Sequence, residues 1–118
     1  MASNDYFVVI YYILKYLYEC MKSGVKPDED VLNLSKYKVK LNDEYIKTIY
    51  KNIYKDGYID GLNIVSVPRL GSDENTEFIR DYKEIRITSK GIEFLTDNSM
   101  MAKAKEFIKD FGSLLPWV

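Results

Sequence analysis

The first part of the chain carries a helical pattern that is apolar on most sides. Between residues 5 and 22, apolar side chains recur every three or four positions, as the α-helical repeat requires: Phe7, Ile10, Leu14, Leu17 and Met21. Val9, Ile13 and Tyr16 widen this stripe until little of the helix surface is polar. The pattern predicts a buried central helix over 5–22 that Gly24 ends.

Two more helices are predicted in the next part of the chain. Pro27 followed by two acids is typical of a first turn, which predicts a short helix over 28–35. Asn42 suits an N-cap and Gly57 a stop, so a third helix is expected over 42–56. Its apolar face consists of four residues at helical spacing: Ile46, Ile49, Tyr50 and Ile53.

The following segment has the composition of β-structure. Residues 58–67 are rich in β-branched side chains, 71–76 are turn-forming, and apolar residues alternate imperfectly with charges over 77–87. We therefore predict a hairpin over 58–87. Residues 39–41 are a candidate for a third short strand before the third helix.

C-terminal helices are predicted over 88–112. Thr88 can cap the first of them, and Gly91 would let its backbone approach the sheet closely. Ser99 is the expected cap of the second helix, and Gly112 is its expected stop. The apolar line of that last helix consists of Met101, Ala104, Ile108 and Phe111.

The order of these elements predicts the fold class. Three helices, a hairpin and C-terminal helices are the plan of the winged helix, or winged helix-turn-helix, which is an α+β fold. In that plan the third helix could read a DNA major groove, and the hairpin is the wing beside it. Because 47% of the 118 residues are hydrophobic, we expect a single domain over 1–118 with one modest core.

Two short motifs carry a family resemblance: ITSKGIEFL at 87–95 and NSMM at 98–101. Together with the segments 11–24 and 55–59, they resemble the YjcQ-type family of small winged-helix proteins from Gram-positive bacteria and their phages. The likeness covers nearly the whole chain. It implies the winged-helix fold, but it implies no activity and no functional residues.

Lysines cluster on and just before the predicted third helix. Lys47, Lys51 and Lys55 recur every four residues and form one ridge, with Thr48 and Asn52 alongside. The connector before the helix holds three more lysines: Lys36, Lys38 and Lys40. Between Lys36 and Lys55 the chain holds six lysines and two acids. This segment therefore has a net charge of +4 in a chain whose total is −1.

This lysine cluster has two interpretations. One is contact with the phosphates of double-stranded DNA. The other is a solvated helix face with an ordinary ion pair between Asp43 and Lys47. Two features oppose DNA binding, since the hairpin tip over 71–76 is acidic and the third helix has no arginine for a guanine contact. Weak or partner-assisted binding is therefore the most that the cluster predicts.

A second function stays open, that of a non-catalytic protein-interaction module. The first helix is apolar on more sides than a small core can cover, and the C-terminal segment adds more apolar surface. A homodimer through the first and C-terminal helices is therefore expected. The competing explanation is that the last helix packs back across the first within a monomer.

Composition argues against catalysis and against a membrane. The chain has no histidine and one cysteine, Cys20, which excludes the usual zinc sites and a nucleophile paired with a histidine base. No nucleophile motif or Gly-rich phosphate loop occurs, so we expect no enzyme, cofactor, metal ion or small-molecule substrate. The apolar run over 6–14 is too short for a membrane span and lacks a basic leader. A cytoplasmic protein is expected.

Overall fold

The computed structural model of the protein describes residues 5–110. Over this range the chain forms five helices and four strands, which are, in order, α1 (Tyr6–Ser23), α2 (Glu29–Leu32), α3 (Asp43–Lys55), β1 (Ile59–Asp60), β2 (Asn63–Pro68), β3 (Asn75–Asp81), β4 (Arg86–Ile87), α4 (Ser89–Asp97) and α5 (Ser99–Asp110). The helices supply most of the core, and the strands form two small antiparallel sheets.

The central element of the fold is α1. Asp5 Oδ1 accepts a hydrogen bond from the Phe7 backbone N–H at 2.9 Å, and Gly24 ends the helix in the left-handed region, with φ of 67°. Ten residues of α1 are buried, four of them completely: Val8, Val9, Tyr12 and Leu14. Because α3, α4, α5 and β4 all pack against it, the chain itself covers most of the apolar surface of its first helix. Met21, near the C-terminal end, is exposed although the sequence pattern placed it on the buried stripe.

The second helix is shorter than the one predicted over 28–35. It ends at Leu32 because Leu34 adopts a φ of 66°, in a left-handed region that cannot continue an α-helix. The Leu34 side chain is buried, and this burial offsets the backbone strain. The candidate strand at 39–41 does not form. Leu41 is instead buried in the core, and none of the four strands within residues 5–110 pairs with this segment.

The segment predicted as one hairpin forms two antiparallel pairs. β2 and β3 make a long hairpin in which Val65 lies opposite Phe78, whereas β1 pairs with β4. Gly61, between β1 and β2, has φ of 77°, and a Cβ there would lie 1.9 Å from the Glu84 backbone O. Since no larger residue fits this approach, the turn that separates the two pairs depends on glycine.

Thr88 and Gly91 start α4 as the sequence predicts. Thr88 Oγ1 accepts a hydrogen bond from the Gly91 backbone N–H at 3.0 Å and donates one to the Gly57 backbone O at 2.6 Å. A Cβ at Gly91 would lie 2.1 Å from the Tyr58 backbone O. Glycine therefore lets α4 lie directly against the backbone that leads into β1.

The sequence predicted Ser99 as the cap of α5, but the cap is Asn98. Asn98 Oδ1 accepts hydrogen bonds from the backbone N–H groups of Met100 at 2.8 Å and Met101 at 3.3 Å. From Ncap the Asn side chain satisfies N–H groups of the first turn that have no partner inside the helix, whereas Ser99 is already helical. The described part of the apolar line is buried as predicted: Met101, Ala104 and Ile108. The remainder, from residue 111 onward, lies outside the described residues.

These elements make an α+β fold whose order is compatible with a winged helix. Within residues 5–110, no helix combines the length and the apolarity that crossing a bilayer requires.

Candidate nucleic-acid interface

Helix α3 has an apolar face and a charged face on different sides. Asn42 Oδ1 accepts a hydrogen bond from the Glu44 backbone N–H at 2.8 Å and caps the helix, as predicted. The buried face consists of four residues that are at most 9% exposed: Ile46, Ile49, Tyr50 and Ile53. The Tyr50 hydroxyl also donates a hydrogen bond to the Leu32 backbone O. This bond ties the buried side of α3 to α2.

The lysine ridge of α3 (Lys47, Lys51 and Lys55) becomes more exposed along the helix. The Lys47 side chain is 21% exposed and that of Lys51 is 42% exposed, while Lys55 is an exposed residue. Lys47 Nζ forms an ion pair of 2.8 Å with Glu44 Oε2, and not the pair with Asp43 that was considered from the sequence. Charge is therefore most accessible at the C-terminal end of the ridge.

The two uncharged residues predicted beside the ridge have partners inside the chain. Thr48 is exposed, and its hydroxyl donates to the Glu44 backbone O at 2.8 Å. Asn52 Nδ2 donates to the Tyr6 hydroxyl at 3.1 Å, which directs its amide toward α1. Of this pair, Thr48 lies at the surface and Asn52 is half-buried.

Glu77 of β3 belongs to the candidate interface, although the sequence pattern did not predict it there. Its carboxylate Oε1 lies 2.9 Å from Lys51 Nζ, and its backbone O accepts a hydrogen bond from Lys47 Nζ at 3.1 Å. The β2–β3 hairpin therefore contacts two of the three ridge lysines. No local spacing signals this contact, because Glu77 and Lys51 are 26 positions apart in the chain.

The three connector lysines differ in their surroundings. Lys36 Nζ lies 3.1 Å from Asp28 Oδ2. The pKa of the Asp28 carboxyl is lowered by a hydrogen bond from the backbone N–H two residues further on, and then by Lys36. Lys38 and Lys40 are exposed and border the same cleft as Asp43, at the start of α3. In chain order, the acids of the first turn of α3 separate these connector lysines from the ridge.

The tyrosines of α1 belong mainly to the core. Tyr11, Tyr12 and Tyr16 are at most 7% exposed, and Tyr12 packs edge-on against Tyr37 with ring centroids 4.7 Å apart. These three rings therefore cannot form a stacking platform for bases. Cys20 is also buried, and burial raises the pKa of its thiol, which disfavours the reactive thiolate. In the described part of the chain, cysteine and acidic residues form no group suited to holding a metal ion.

The β2–β3 hairpin places apolar side chains at the surface. Val67 is 38% exposed, Phe78 is 44% exposed, and Leu70 beside the tip is fully exposed. Arg69 and Arg80 are exposed as well, and so is the whole acidic tip over 71–76. The hairpin thus combines apolar, basic and acidic groups and is not a simple basic wing.

The fold and the candidate interface define the class of this protein. It is an α+β domain in which an amphipathic helix that carries lysines lies beside a long hairpin. A family model described as YjcQ protein matches residues 11–112. Since the match covers most of the chain, the protein belongs to the YjcQ family, and the resemblance in its sequence is confirmed. Comparisons with curated proteins and with solved structures gave no match.

Proposed function

We propose that this chain is a small winged-helix protein that binds double-stranded DNA or regulates transcription. In this assignment α3 is the reading helix and the β2–β3 hairpin is the wing. The observation that carries it is the division of α3, which buries its isoleucine face and keeps the ends of Lys51 and Lys55 at the surface. Family membership is consistent with the fold but supplies no partner.

The exposed charges favour contact with the DNA backbone over base reading. Lys40 and Lys55 are exposed and make no ion pair within residues 5–110, so each can contact a phosphate. A lysine gives a phosphate a point charge without the bidentate geometry that arginine offers to guanine. Binding is therefore expected to be weak in sequence preference and steep in its dependence on salt.

The test replaces Lys40 and Lys55 together by Glu and measures binding to a duplex over a range of salt concentrations. The matched control replaces Lys103 and Lys105 of α5 by Glu, and these lysines are also exposed. Both variants therefore change the net charge equally. We expect the wild type and the control to bind with about 0.9 units of logarithmic salt slope per phosphate contact, and the Lys40/Lys55 variant to lose binding.

Equal losses in the two double variants would show a general charge effect and would remove Lys40 and Lys55 from the proposed interface. No binding by the wild type at low salt would remove DNA as the ligand. The second candidate, a non-catalytic protein-interaction module, would then stand first. The exposed Val67, Leu70 and Phe78 of the hairpin favour that candidate, whereas the buried tyrosines of α1 do not.

A further inference from the structure

The lysine ridge faces two carboxylates of its own chain. Lys47 Nζ lies 2.8 Å from Glu44 Oε2, within α3, and Lys51 Nζ lies 2.9 Å from Glu77 Oε1 on the hairpin. The second contact joins two elements that are far apart in sequence. A ligand that used Lys51 would therefore meet a site at which an anionic oxygen is already bound.

A carboxylate oxygen and a phosphodiester oxygen are equivalent acceptors for a lysine ammonium group. Both are anionic, and both form charge-assisted hydrogen bonds of similar length. Glu77 thus occupies the position on Lys51 that a backbone phosphate would need. The lysine has only a compact charge at the end of a flexible stem, so its engagement by Glu77 reduces its attraction for a second anion.

The contact between Glu77 and Lys51 is accessible to an incoming anion. Both side chains are 42% exposed, and ion pairs at such exposure hold weakly because water competes for both partners. The hairpin strands also pair only with each other among the described strands, so side-chain contacts with α3 contribute to the position of the hairpin. Displacing Glu77 requires no break in a sheet.

We propose that Glu77 is an intramolecular competitor for phosphate, which occupies Lys51 and weakens the binding of duplex DNA to α3. This inference rests on the function proposed above. It gives the hairpin a negative role at the ridge, because the carboxylate must leave Lys51 before that lysine can contact the DNA backbone.

The test is a double-mutant cycle with Glu77→Gln, Lys51→Gln and the combined variant, measured by duplex binding against salt. Glu74→Gln is the matched control, because Glu74 is an exposed acid of the same hairpin whose side chain makes no ion pair within residues 5–110. We expect E77Q to bind up to about fivefold more tightly at about 50 mM salt, which is the most that an exposed ion pair can withhold, and to gain up to about 0.9 units of logarithmic salt slope. Glu74→Gln should change the affinity by less than about twofold, since it frees no lysine.

Coupling between the two positions is the decisive quantity. Lys51→Gln should lower affinity by about tenfold in the E77Q background and by clearly less in the wild-type background. If E77Q and E74Q behave alike, or if the effects of the two positions simply add, Glu77 is not a competitor while DNA binding stands. If no variant binds duplex at low salt, the proposed function fails and this inference fails with it. Glu77→Ser replaces E77Q in the cycle if circular dichroism shows that E77Q does not fold.

Discussion

Tyr37 and Tyr82 show how the core affects single ionisable groups. The pKa of each phenol is raised to about 12, mainly by burial. Repulsion by nearby acidic groups supplies the rest of the rise in pKa, from ionised Tyr45 and Asp5 around Tyr37 and from acids of α2 and α3 around Tyr82. The pKa of an ordinary tyrosine is near 10.0. Between that pH and about 12, the folded chain therefore keeps both phenols neutral, whereas the unfolded chain does not.

We expect stability to fall in alkaline solution for this reason. Because its tyrosine pKa is raised, the folded state retains protons above pH 10, the ordinary tyrosine value. The contribution of each neutral phenol to the free energy of unfolding is therefore complete below pH 10 and is lost as the pH rises to about 12. Urea midpoints between about pH 8 and about pH 12 would measure the decline. Tyr82→Phe should make it shallower, whereas Tyr54→Phe, at an exposed position, should not. Identical slopes for the two variants would contradict this explanation.

Single residues were predictable where their signal is local. The spacing of Ile46, Ile49 and Ile53 is enough to identify the buried face of α3, because helix geometry alone places them together. Gly91 was expected at a close approach for a similar reason, since a glycine within a helical pattern needs a cause. Glu77 gave no such signal, because its contact with Lys51 depends on where the hairpin lies.

Helix caps were predicted more accurately than strand pairing. A cap involves residues two or three positions apart, so Asn42 and Thr88 could be identified from sequence. For α5 the predicted cap differed from the observed one by only one residue. The pairing of β1 with β4 joins Ile59 to Ile87. It encloses the longer hairpin, and no alternation of residues could distinguish this arrangement from one continuous hairpin.

The cap of α5 can be tested directly by substitution. Replacing Asn98 by Ala should reduce the free energy of unfolding by about 1 kcal/mol, because two backbone N–H groups lose their acceptor. Replacing Ser99 by Ala is the control and should have a much smaller effect, since Ser99 is the first helical residue. Urea denaturation of the two variants measures the difference. A larger loss for Ser99→Ala would assign the cap to Ser99 after all.

For the whole molecule, the main question is what covers α1. The sequence left two answers open, a homodimer or a last helix packed back on the first. In the structure α5 packs along α1, and Ala104 of α5 is completely buried whereas Ala102 is exposed. Over residues 5–110 the chain therefore supplies cover that a second copy was expected to supply. This packing favours the monomer of the two alternatives, and the homodimer stays the untested alternative.

The two alanines of α5 separate these answers. Ala104→Glu places a charge in the buried side of α5, so we expect it to cost at least about 3 kcal/mol and to cause concentration-dependent association as α1 is uncovered. Ala102→Glu adds the same charge on the exposed side and should leave both stability and mass unchanged. Sedimentation of the wild type, over the same concentrations, should give a monomer, because its apolar helix is already covered. A wild type of doubled mass that Ala102→Glu converts to a monomer would instead establish a homodimer through the outer face of α5.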